Sequence, residues 1–102
     1  MSEGFALHGC FRAHEGQADA LTAVLLEAAD ALRANGECRL YLVSRSPDDA
    51  DLVWVTEVWT SREAHAASLE DEAVRALVAR GMPLIAGMPE SRELRPAGGK
   101  GL

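Results

Sequence analysis

Leu52-Val53-Trp54-Val55-Thr56-Glu57-Val58-Trp59-Thr60 is the stretch on which the fold turns. It is rich in β-branched and aromatic residues, which suit a pleated surface. Cys38 to Ser46, with Leu40-Tyr41-Leu42-Val43 at its centre, has the same character. Pro47-Asp48-Asp49-Ala50-Asp51 separates the two runs, and the whole predicts a β-hairpin. Strand alternation puts Leu52, Trp54, Thr56, Val58 and Thr60 on one face, and Val53, Val55, Glu57 and Trp59 on the other. Both faces are apolar apart from Glu57, so this strand should be covered on both sides. Helices in a chain of 102 residues can shield only one of them. The second face therefore predicts a partner subunit or a ligand.

Working outward, Phe5 to Ala13 reads as a first strand, with Phe5, Leu7, Gly9, Phe11 and Ala13 opposite Ala6, His8, Cys10 and Arg12. Gly9 predicts a bulge or a close backbone approach. Ala18 to Ala34 reads as a helix, because Leu21, Val24, Leu25, Ala28 and Leu32 form one apolar stripe. Asn35-Gly36 predicts a left-handed stop. Beyond the hairpin, Thr60-Ser61-Arg62-Glu63 has the form of a capping box with Thr60 as the cap and Ser61 as the alternative. The helix it opens should pause near Glu70-Asp71-Glu72 and resume to Gly81. Pro89 to Pro96 reads as a charged edge strand anchored by Leu94, protected against uncontrolled pairing. The order strand, helix, strand, strand, helix, strand predicts an α+β fold, a ferredoxin-like split β-α-β-β-α-β sandwich on a four-stranded antiparallel sheet. One domain is expected over residues 1–102, with 97–102 a flexible glycine-rich tail.

Composition narrows the function. The formal net charge is −6, and no basic helix or aromatic-basic interleaving is present, so nucleic acid is not an expected partner. No run approaches the roughly 20 apolar residues of a membrane span, and the N-terminus carries no basic, apolar leader pattern. A cytoplasmic location without membrane attachment is expected. Cys10 and Cys38 read as free thiols rather than a disulfide framework. His8, His14 and His65 are too scattered for a metal motif, and the acids of the hairpin loop lack the glycine and spacing of a calcium loop. No metal site is expected.

Chemistry concentrates around the hairpin. Glu57 is a carboxylate on an apolar strand, able to accept a proton if burial raises its pKa, or to bond a neighbouring element. Trp59 and Trp54 could each wall a flat aromatic ligand or pack in a core or dimer interface. Tyr41 could orient a ligand hydroxyl. His65, early in the second helical region, could be a donor or base, or an interface residue. His8 could reach the same cavity or bond locally.

The run Cys38-Arg39-Leu40-Tyr41, followed by Val55-Thr56-Glu57-Val58-Trp59-Thr60-Ser61-Arg62-Glu63-Ala64-His65-Ala66-Ala67-Ser68-Leu69, resembles the antibiotic biosynthesis monooxygenase domain family. Members commonly carry Gly-Cys-Xaa-Xaa-Tyr entering strand two, Glu-Xaa-Trp ending strand three and a histidine in the next helix. Here Glu37 stands at the glycine position, and Glu57, Trp59 and His65 match the rest. The resemblance covers roughly residues 5–96. It implies a homodimeric α/β barrel of ferredoxin-like subunits that oxygenates a quinol, anthrone or related phenol with molecular oxygen and no metal, flavin or haem. It further implies catalytic roles for His65 and Glu57, and substrate-binding roles for Tyr41, Trp59, His8 and Trp54. An asparagine assists some oxygenating and haem-degrading members, whereas the only asparagine here, Asn35, lies in the helix-ending turn. The alternative implied by the family is a non-catalytic or isomerase-like dimeric protein that binds a small aromatic or polyketide ligand.

Overall fold

The structure, a computed structural model, describes residues 4–102. Strand β1 (Phe5–Ala13) leads into helix α1 (Ala18–Ala31), which tightens into a 3₁₀ turn over Leu32–Ala34. Strands β2 (Cys38–Arg45) and β3 (Leu52–Trp59) form the hairpin. Two short helices follow, α2 (Arg62–Ser68) and α3 (Glu72–Gly81), then a 3₁₀ turn at Met82–Leu84 and strand β4 (Ile85–Leu94). The sheet order is β2-β3-β1-β4, and every pair is antiparallel. This is the ferredoxin-like α+β arrangement read from the sequence, with β1 and β3 central.

Cross-strand register fixes what each face carries. Directly paired residues share a face, so Tyr41, Glu57 and Leu7 form one row and Val43, Val55 and Gly9 the next. These rows face the helices. Ala13, Ala18, Leu21 and Val53 make one buried cluster there, and Phe5, Leu32 and Trp59 make a second. The opposite rows are Leu40-Val58-Ala6-Leu94, Leu42-Thr56-His8-Arg92 and Ser44-Trp54-Cys10-Glu90. No helix covers them. Leu40, Leu42 and Leu94 remain exposed on that face, at 37%, 49% and 50% of their full surface.

Gly9 marks a close approach, as its sequence context predicted. A β-carbon there would run into the Glu90 carbonyl oxygen and come within 3.0 Å of the Ser91 Cα, so only glycine lets β4 lie this close to β1.

Three local readings are corrected. The cap of α2 is Ser61, not Thr60: its extended backbone lets Oγ accept from the Ala64 N–H at 3.0 Å. The Thr60 hydroxyl is instead engaged by the Glu37 carboxylate, which shifts the helix start by one residue and breaks the capping box. Strand β4 begins at Ile85 rather than Pro89. The pairing of β4 with β1 is irregular between Cys10 and Arg12, and a proline with no N–H to donate is tolerated at such a break on an edge strand. Finally, α1 ends without a left-handed residue. The 3₁₀ turn closes it, and Asn35 is extended at φ −96° and ψ 102°.

The predicted pause in the second helical region is a full break. Asp71 caps α3 by accepting from the Ala73 and Val74 N–H groups at 2.9 and 3.2 Å. Among the described residues, no helix is long and apolar enough to cross a membrane.

Candidate active site

The space between the sheet and the helices is not fully filled. A cavity of about 290 Å³ lies there, walled by α1 residues such as Leu25 and Ala28, by Val74 and Val78 of α3, and by Phe11 and Val55 of the sheet. Its polar groups gather where β2, β3 and α2 meet: Tyr41, Glu57, His65 and Ser68.

Glu57 and Trp59 are two apart on β3 and so project to the same side. The indole Nε1–H of Trp59 donates to Glu57 Oε1 at 3.0 Å. His65 Nε2 stands 3.8 Å from that same oxygen, too far for a hydrogen bond and close enough for charge to matter. Both side chains are largely withdrawn from water, at 16% and 18% exposure for Glu57 and His65. Burial raises the Glu57 pKa above the ordinary carboxylate value, and the Trp59 bond and the neighbouring His65 only partly offset it. Tyr41 pairs directly across from Glu57. Burial foremost, and then the Glu57 and Cys38 charges, push its phenol well above the usual range, so it persists as an O–H donor. Among the described residues the Tyr41 hydroxyl has no hydrogen-bond partner, although the residue lines the cavity.

His65 is held by its surroundings. The Ser61 cap sets the phase of α2, and the His65 ring packs between Phe5, at 5.3 Å between centroids, and the edge of Trp59, at 5.4 Å and 74°. Arg62 one turn earlier lies over the Phe5 ring at 4.9 Å and pairs with Glu93 of β4. These contacts tie α2 to the sheet.

The structure thus brings together Tyr41, Glu57, Trp59 and His65. It does not bring His8 and Trp54 to them. His8 lies on the cavity boundary along β1, but strand alternation turns its ring to the helix-free face. There Nδ1 lies 2.9 Å from Thr56 Oγ1, and the ring stacks on Trp54 at 5.3 Å. Trp59 itself is 1% exposed and its N–H is committed to Glu57, so it supports the carboxylate more than it walls the cavity. Val74, Met82 and Met88, which line the cavity, were not singled out in the sequence. Their only signal was apolarity near α3 and its following turn, which reads the same for a packed core. Among the described residues, no group of three or more His, Cys, Asp or Glu side chains converges as metal donors.

Fold and cavity together define a ferredoxin-like α+β domain with a buried carboxylate at one end of an apolar pocket. Residues 4–80 match the family model described as antibiotic biosynthesis monooxygenase, and the chain belongs to that family. A structure from Chloroflexus aurantiacus J-10-fl, named for the same family, is 44% identical, with 96% of this chain and 97% of that one aligned at a TM-score of 0.90. Structures named for this family from Caulobacter crescentus CB15 and Deinococcus radiodurans share the fold at 21% and 22% identity. The first covers 95% of this chain and 92% of its own, with a TM-score of 0.85. The second covers 96% and 97%, with a TM-score of 0.79. No curated protein matches the sequence.

Proposed function

We propose that this chain is a cofactor-independent monooxygenase acting on a phenolic substrate of the quinol or anthrone type. The observation that carries the reading is Glu57. It is a buried carboxylate of raised pKa beside His65, opposite Tyr41, whose hydroxyl has no partner among the described residues, at the polar end of an otherwise apolar cavity. A base needs an elevated pKa to take a weakly acidic proton near neutral pH. In this reading the substrate lies flat in the cavity with its hydroxyl toward Glu57 and Tyr41. Glu57 accepts the proton, with His65 as the adjoining acid or base, and Tyr41 donates to the oxygen that becomes negative. The resulting electron-rich anion reduces oxygen and combines with it. At a methylene carbon this forms a hydroperoxide, which loses water to leave a carbonyl, so one oxygen atom enters the product and the other leaves as water. The apolar walls exclude bulk water from the anion. A second copy of the chain covers the helix-free face, supported by the exposed Leu40, Leu42 and Leu94.

The test is oxygen uptake by metal-free protein with a quinol and an anthrone, read against the spontaneous oxidation of each compound alone. Uptake above that control should saturate with substrate. Glu57→Gln and His65→Ala should each lower it by about 10²–10⁴-fold, the range of a positioned acid or base. Saturable quenching of tryptophan fluorescence with no added oxygen uptake would overturn the oxygenase reading in favour of a binding protein.

A further inference from the structure

The cavity is lined almost wholly by uncharged side chains. Among the described residues that line it, Glu57 is the one carboxylate on the helix side of the sheet; Glu90 borders the cavity from the helix-free row beside Cys10, and no arginine or lysine is there. The arginines are paired elsewhere, Arg45 with Asp19, Arg80 with Glu27, Arg62 with Glu93 and Arg92 with Glu90. Polar groups able to read a ligand cluster at the Glu57 end. Away from it the walls are Phe11, Leu25, Val78, Met82 and Ile85. A ligand anion placed against those walls would lose its water, find no cation and feel the field of a protein with net charge −6.

We infer that this site takes an uncharged, largely apolar aromatic of about two fused rings whose hydrogen-bonding oxygen is at one end, and that it rejects analogues bearing a carboxylate or phosphate at the other. Beside His65, the polar end supplies an acceptor, the Glu57 carboxylate, and a donor, the Tyr41 hydroxyl. That pair complements a single hydroxyl. The size follows from the volume: about 290 Å³ is near twice the ~150 Å³ of an apolar cavity known to hold benzene. The inference deepens the oxygenase reading by naming the ligand's charge and shape. It concerns binding alone and stands or falls without turnover.

The test uses three compounds on the full chain under argon, so that oxygen chemistry is absent: 2-naphthol, 6-hydroxy-2-naphthoate and the methyl ester of that acid. Dissociation constants come from tryptophan fluorescence, checked by equilibrium dialysis. The naphthol and the ester should both bind at least about tenfold more tightly than the carboxylate, a difference the desolvation of one unpaired anion readily supplies. The ester carries the bulk of the acid without its charge, so it separates charge from size. Met82→Lys places a cation at an exposed position of the cavity wall and should selectively recover binding of the carboxylate. Equal affinity for the acid and its ester would overturn the inference, and so would failure of 2-naphthol to bind. Oxygen uptake, measured separately in air, reports on the oxygenase reading: binding as expected without uptake would sink that reading and leave this one standing.

Discussion

Glu57 sits in a place that costs the fold something, and the cost depends on pH. Below the ordinary carboxylate pKa, both the folded and unfolded chains hold the proton and the residue is silent. As pH rises from that value toward the raised folded pKa, the unfolded chain releases its proton first. The folded state then binds more protons, so stability falls through this window and stays lower above it. Glu57→Gln keeps an oxygen for the Trp59 N–H and removes the buried charge. The variant should therefore gain thermal stability over the parent at about pH 8 and lose that gain at about pH 3, where the carboxyl is protonated in both states. Paired thermal melts at the two pH values check this, and an equal offset at both would show that Glu57 is not the titrating group. The alternation that sets Glu57 beside Trp59 and away from Trp54 was legible in the sequence, because a strand's period of two needs no tertiary information. Which face the helices would cover was not legible. That depends on how α1 and α3 dock, and it is why the sequence alone leaves His8 a candidate for the same cavity as Glu57 although the sheet separates their side chains.

At the level of elements, the contact between β1 and β4 decides whether the cavity has a floor. Gly9 permits it by carrying no side chain where Glu90 and Ser91 cross. Gly9→Ala should lower stability by about 1–3 kcal/mol, the usual cost of overpacking. Urea unfolding measures this, and an unchanged midpoint would mean that β4 can shift without loss. The hairpin and α1 followed from residue patterns, since each is a long run with one clear period. The element boundaries that moved had physical reasons outside their own spans. Thr60 is drawn away from capping by Glu37, more than twenty residues earlier, and β4 extends back through Pro89 because an edge strand can carry a proline at a pairing break. The cavity itself left no trace in the pattern. Val74 and Val78 give α3 the same apolar stripe whether they pack against side chains or against empty space.

For the molecule as a whole, the helix-free face is the surface on which the proposed second copy would sit. Leu42 stands on this face on the edge strand β2, in the row with Thr56 and His8, and is nearly half exposed in the single chain. Across a two-fold axis the same patch meets itself, so one substitution acts twice. Leu42→Glu should convert a dimer to a monomer, measured by size-exclusion chromatography with light scattering, while leaving the secondary structure intact. A parent protein that already runs as a monomer would remove the dimer from the reading. The unfilled space between sheet and helices has a different consequence. In most domains of this size, side chains would occupy that volume and contribute to holding the layers together. In the proposed reading a visiting molecule completes the interior, so the ligand would serve for a time as a removable part of the hydrophobic core. Its arrival should tighten the whole fold: a ligand at a hundred times its Kd adds about 2.7 kcal/mol to the folded state.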